Sequence, residues 1–249
     1  MHVSKRFWLC CAGILALSAQ TPAAPAVTPP PKPLRRLTYS FSVDYLTNGE
    51  GHDSGMSIGG EGGSGSGVDS MLGGGGRRGT MYVDVNGLSP DGALIVAVNE
   101  SLEHEPRPQE RFTCTVYGDG HVLCPNADGP LSDAENLLLS MLGRGFIDAS
   151  VSPTNQRWRR TYQGKEVSVV TDYALKDPGN GAPVTILKHS TVKSYVRTIG
   201  DSVEDGTIVY DRALSVPDTV NDTVYETRAN GSLQTTFSFR LISDSFASH

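Results

Sequence analysis

The chain lacks a surplus of positive charge. Its 249 residues carry 27 acidic and 21 basic side chains, for a formal net charge of -6. Nucleic-acid binding requires clustered Lys and Arg to displace counterions from phosphates, so an acidic chain without a basic stripe does not belong to that class. Anionic membrane surfaces are disfavoured by the same repulsion. Long hydrophobic runs are also missing. The longest, Phe7 to Leu17, has 11 residues, against the roughly 20 that a membrane-crossing helix requires. No grouping supplies a nucleophile, a base and an orienting residue together. Gly51-His52-Asp53-Ser54-Gly55 holds the residue types of a hydrolase triad, but consecutive residues in a glycine-rich segment cannot converge from a rigid frame. Gly74-Gly75-Gly76-Arg77-Arg78-Gly79 spells the dinucleotide pattern without the preceding strand and following helix that the pattern needs. Glu103-His104-Glu105 and His121 lack metal-ligand spacing. The sequence therefore nominates no catalytic, cofactor-binding or metal-ligating residue.

What is present begins with a leader. Lys5 and Arg6 precede the apolar run, and small residues with prolines follow to Ala26. This predicts a secretory signal peptide over 1–26, a mature chain without a membrane span, and a secreted or periplasmic location. Removing the leader takes two bases and no acid, leaving 19 basic against 27 acidic residues and a net charge of -8. A proline-rich tether is expected over 27–35 and an antiparallel β domain over 36–249. Within that domain 14 of the 28 glycines fall between Asn48 and Gly79, which marks 48–79 as a disordered insert.

Outside the insert, the dominant period is two. Leu37, Tyr39, Phe41, Val43 and Tyr45 alternate with polar residues, as do Val167 to Leu175, Ile208 to Leu214 and Leu233 to Leu241. Such alternation puts one face of a strand on a core and the other in water. Ser89-Pro90-Asp91-Gly92 predicts a hairpin turn. A second hairpin is centred on Asp119. With an odd loop there, Cys114 lies opposite Cys124, and in an oxidising compartment a disulfide is expected. Glu204-Asp205-Gly206 and Val216-Pro217-Asp218 also read as turns. The polar middle of Val184 to Thr198, Lys188-His189-Ser190, predicts a bulge or a strand leaving the core.

One helix stands out. Ser132 and Glu135 form a capping box before Leu137, Leu138, Leu139, Met141 and Leu142, with Gly143 as the stop. Its apolar residues cover more than one stripe, so burial on most sides is expected. Counting about nine or ten strands around it, the expected fold is mainly β: a single antiparallel curved sheet, half-barrel or open barrel, wrapped around one apolar helix. From Leu37 to Phe246 this element order resembles the open half-barrels of periplasmic lipoprotein and lipid carriers.

Two candidate sites emerge. Leu137, Leu138, Met141 and Leu142 are candidates for lining an apolar pocket between sheet and helix. Arg157, Trp158 and Arg160, in the most basic stretch of the chain, are candidates for an anion or sugar contact. The expected function is non-catalytic binding of an apolar, lipid-like small molecule. The alternative is a cell-envelope structural or protein-interaction module.

Overall fold

The computed structural model describes residues 32–48, 76–105, 111–125, 131–152, 155–177, 183–196, 200–228 and 231–246. The expected leader, most of the tether and most of the insert, with its His52-Asp53-Ser54 segment, lie outside them. In chain order the elements are β1 (Arg35–Asn48), β2 (Arg77–Leu88), β3 (Leu94–Leu102), β4 (Phe112–Val116), β5 (Val122–Leu123), α1 (Asp133–Leu139), β6 (Arg157–Gln163), β7 (Val167–Asp177), β8 (Val184–Ser194), β9 (Ser202–Asp211), β10 (Val216–Arg228) and β11 (Gly231–Asp244). β2 opens inside the span read as insert, because Arg77, Arg78 and Gly79 pair with β1.

All eleven strands form one antiparallel sheet, ordered β5-β4-β3-β2-β1-β11-β10-β9-β8-β7-β6. It consists of two meanders, β1 to β5 and β6 to β11, joined by the β1–β11 pairing. The two ends of this order do not pair, so the sheet is open. The link from β5 to β6, which contains α1, must cross from one sheet edge to the other. An apolar link crosses on the buried face, because that is where its side chains leave water. Leu138, Leu139, Met141, Leu142 and Phe146 accordingly share one core with Tyr39 and Phe41 of β1, Met81 and Val83 of β2, Ile186 of β8, Ile208 and Tyr210 of β9 and Phe239 of β11.

Eleven flat strands at about 4.8 Å spacing would hold the edges about 48 Å apart. Yet Arg160 Nη2 on edge strand β6 lies 3.4 Å from the Gly118 carbonyl at the β4–β5 turn and 2.8 Å from the Phe146 carbonyl. A third carbonyl, that of Gly145, accepts from the same nitrogen. One guanidinium thus joins the crossover segment to structure at both edges.

The helix entrance is anchored as well as capped. Ser132 Oγ accepts the Glu135 N–H at 3.1 Å, and the Glu135 side chain accepts the Ser132 N–H at 2.9 Å. The same hydroxyl donates to Glu100 on β3, which is fully buried and also accepts from Arg77 Nη2 at 2.7 Å. The second hairpin has the odd loop: Thr115 faces Leu123 and Val116 faces Val122, placing Cys114 opposite Cys124. Their Cα atoms are 4.2 Å apart and the disulfide is formed.

Three local expectations are corrected. Lys188-His189-Ser190 does not bulge; β8 keeps continuous register there with both neighbours. Glu204-Asp205-Gly206 is not a turn but the interior of β9. These share a cause in the side chains of Lys188, Glu204 and Asp222, which meet inside the sheet across Gly206. Val216-Pro217-Asp218 is not the turn after β9 either. The chain reverses at 212–215, where Ser215 takes a φ of 57°, and Pro217 sits at a register shift in β10. A proline lacking an N–H is tolerated at such a shift.

Replacing Ser132 by Ala removes the cap, at about 1 kcal/mol, and a hydrogen bond to a buried carboxylate, at about 1–3 kcal/mol. Urea unfolding of Ser132→Ala is expected to show a loss of about 2–4 kcal/mol with an unchanged slope. A loss below about 0.5 kcal/mol would mean that α1 is not anchored through this residue.

Candidate functional site

Among the described residues, two concavities and a buried charged cluster are candidate sites. The first concavity lies at one end of the strands. The beginning of β1, the β2–β3 turn region, the end of β4, the segment after α1 and the β9–β10 turn surround a cavity of about 580 Å³. That volume falls within the range of about 300–1,000 Å³ usual for small-molecule sites. Its interior is apolar, with Leu37, Val85, Leu94, Val116, Leu142 and Val216 on the walls. At its mouth Leu34 and Leu88 are each 65% exposed and Phe246 is 60% exposed. Large apolar side chains grouped at a rim are the surface signature of an apolar binding site.

The mouth is built on constrained backbone. Gly143 has a φ of +84°, its N–H donates to the Ser215 carbonyl at 3.0 Å, and its carbonyl accepts the Tyr210 hydroxyl at 2.7 Å. A Cβ at Gly143 would also stand 3.1 Å from Leu94. Ser215 is the one non-glycine residue with positive φ among the described residues. Such backbone persists only where surrounding contacts over-determine it, and it concentrates at functional sites. Arg35 fixes the other side of the rim. Its Nε donates to Asp244 Oδ1 at 3.0 Å, its Nη1 donates to the Leu214 carbonyl at 2.8 Å, and its guanidinium lies 5.2 Å from the Phe246 ring centre.

The four helix-region candidates divide. Leu138 and Met141 are buried in the core and Leu137 is partly buried against it, whereas Leu142 reaches the end cavity. The space opens at the end of the core, where Leu34, Leu88, Leu214 and Phe246 meet. No local signal in the sequence joined those residues, because they come from four distant segments.

The second concavity is an open groove of about 680 Å³ on the opposite face of β6 to β10. Arg157 and Arg159 line it with Asp172, His189 and Asp205. The Arg159–Asp172 pair is bidentate at 2.7 and 2.9 Å, and His189 Nδ1 is 2.7 Å from Asp205. Arg157, Trp158 and Arg160 are not brought together. Strand alternation puts Arg157 in this groove and turns the other two to the core side. There Trp158 is buried and stacks on Tyr173 with ring centres 4.9 Å apart, and Arg160 holds the crossover carbonyls. The segment Glu103-His104-Glu105 is exposed after β3, and His121 is exposed beside Tyr117 in the β4–β5 hairpin.

The buried charged cluster lies on the core side of β8, β9 and β10. Lys188 Nζ is 2.6 Å from Asp222 Oδ2 and also donates to Glu204. Lys188 pairs with Gly206, and Gly206 with Asp222, so the bridge spans the middle strand through the space its glycine leaves. A Cβ at Gly206 would lie 2.8 Å from Asp222 Oδ1. Burial pushes the Asp222 carboxyl up to about 7, and Glu204 adds to this while Lys188 pulls the other way. Burial also disfavours ionised Glu204, but Lys188 and hydrogen bonds outweigh it and hold that carboxyl below its ordinary value. The two carboxylates and Lys188 therefore titrate as one group, with the Asp222 proton held more tightly than in water.

No family model matches the chain, and no curated protein matches it. A solved structure described as lipid–protein interactions in lipovitellin aligns with 88% of this chain and 26% of its own, at 8% identity and a TM-score of 0.38. The chain spans about a quarter of that structure's length. No helix among the described residues is long and apolar enough to cross a membrane.

The cluster has a pH signature. Asp222 binds its proton more tightly folded than unfolded, so its stabilisation is full below the unfolded value of about 3.9 and is lost as pH rises through about 7. Glu204 acts oppositely, its contribution vanishing as pH falls below the ordinary carboxylate range. Urea unfolding between pH 4.5 and 7.5 is expected to show a decline that Asp222→Asn flattens. An equal slope in both proteins would place the second negative charge elsewhere.

Proposed function

We propose that this is a non-catalytic binding protein that takes an apolar, lipid-like molecule into the cavity at the Leu34, Leu88 and Phe246 end of the sheet. In this reading the sheet curls as an open half-barrel around α1, and the crossover fills most of the barrel. Leu142 reaches the edge of this core, and beside the turn at Gly143 one end is left open. The observation that carries the reading is the coincidence of an apolar cavity of about 580 Å³ with three highly exposed apolar side chains at its rim. Water in such a cavity finds few polar partners, so an apolar occupant gains by displacing it. The Cys114–Cys124 bridge supports a secreted or periplasmic setting, since such bonds persist in oxidising compartments.

The alternative, an envelope interaction module, draws on a different surface. Leu46, Tyr225 and Val203 are exposed on the outer face, in one row through the β1–β11–β10–β9 register.

The two readings separate by titration with Nile red, a neutral apolar fluorophore. Leu88→Glu and Phe246→Glu change exposed positions and should leave the fold intact, while a charge at the mouth makes apolar occupancy costly. Each is expected to weaken binding about tenfold or more, equivalent to about 1.4 kcal/mol, with Tyr225→Glu unchanged. Equal binding by the mouth variants, or weakening by Tyr225→Glu alone, would move the site to the outer face.

A further inference from the structure

The end cavity is set apart by its charges as well as by its apolar walls. The chain as a whole is acidic, yet none of the residues lining this cavity is Asp or Glu, and two of them, Arg35 and Arg144, are arginines. Their situations differ. Arg35 is held in a bidentate pair with buried Asp244 and also donates to the Leu214 carbonyl, so its charge is balanced and its donors are engaged. Arg144 directly follows Gly143 at the mouth, is exposed, and has no carboxylate partner among the described residues. Asp211, outside the lining, accepts the Leu214 N–H within the β9–β10 turn.

From this arrangement we infer that the ligand is an anionic amphiphile, with its apolar chain in the end cavity and its carboxylate or phosphate head on Arg144. This rests on the binding function proposed above and adds the chemistry of the ligand's polar end. An alkyl chain filling the cavity brings its head to the rim, and the unpaired charge available there is positive. A guanidinium engages a carboxylate or a phosphate through two parallel N–H donors, so both head groups satisfy the geometry. A cationic head would meet Arg144 as a like charge. A neutral alcohol would gain the apolar contacts alone. Because Arg144 is exposed, salt screens its contribution, and selectivity for the anion is greatest at low ionic strength.

The test compares four probes with the same sixteen-carbon chain by isothermal titration at low and high salt: palmitate, hexadecyl phosphate, hexadecanol and hexadecyltrimethylammonium, each below its micellar concentration. Palmitate or hexadecyl phosphate is expected to bind about tenfold tighter than hexadecanol, as a charge-assisted contact implies. The cation should bind weakest, and salt should narrow the gap. Whichever anion binds tighter identifies the head as carboxylate or phosphate. Arg144→Glu is expected to reverse the preference, with both anions binding more weakly than hexadecanol, a pattern that general loss of structure does not produce. Hexadecanol binding as tightly as both anions, or an unaltered preference in Arg144→Glu, overturns the anionic assignment and leaves the apolar site standing. Absence of binding by all four probes overturns both.

Discussion

An open sheet of eleven strands has to keep one face out of water without a second sheet to pack against, and in this chain a single crossover meets that constraint. The β5-to-β6 link joins opposite edges, so it must traverse the sheet. Its leucines and Phe146 make the buried face the favourable route. Both edges of the sheet are also guarded. β5 has only two residues, and β6 carries three arginines, devices that discourage pairing with another chain. Arg160 then ties the crossover to structure at both edges. The burial of α1 and the packing of both halves of the sheet on one core follow from the course of that one segment.

Beyond its reach two different interiors appear. On β8 to β10 the core side carries a charged cluster next to its apolar residues, with Lys188, Glu204 and Asp222 meeting over Gly206. Such groups add less to stability than apolar packing would, because desolvation offsets most of their attraction, but breaking one partner away from the others is costly. They also fix the pairing of three strands, since a slip of one residue would turn Lys188 to the outer face. At the end near Gly143 the interior is left open, its walls are mostly apolar, and Arg35 and Arg144 stand at its rim.

The parts of the fold legible in the sequence were those set by local rules. Alternation from Leu37 to Val43, the Ser132–Glu135 capping box and the placement of Cys114 opposite Cys124 each depend on residues close together in the chain, and the structure contains all three. Lys188, Glu204 and Gly206 were misread because each was judged among its neighbours. A lysine inside a strand and an Asp-Gly pair look like interruptions until the partner on β10 is known, and that partner is Asp222, 34 residues beyond Lys188. The candidate site was obscured for the same reason. Leu142 was recognisable as apolar, but its companions Leu34, Leu88 and Phe246 are single exposed residues at element ends. Only the folded arrangement makes them one surface.

The account stands on the end cavity being a ligand site. Native mass spectrometry of the protein, compared with its denatured mass, addresses this directly. A ligand-binding protein is expected to carry extra mass that disappears on denaturation, or to acquire one equivalent after incubation with a long-chain amphiphile. A bare protein under both conditions would contradict the account and make the cavity a packing defect at the end of the sheet.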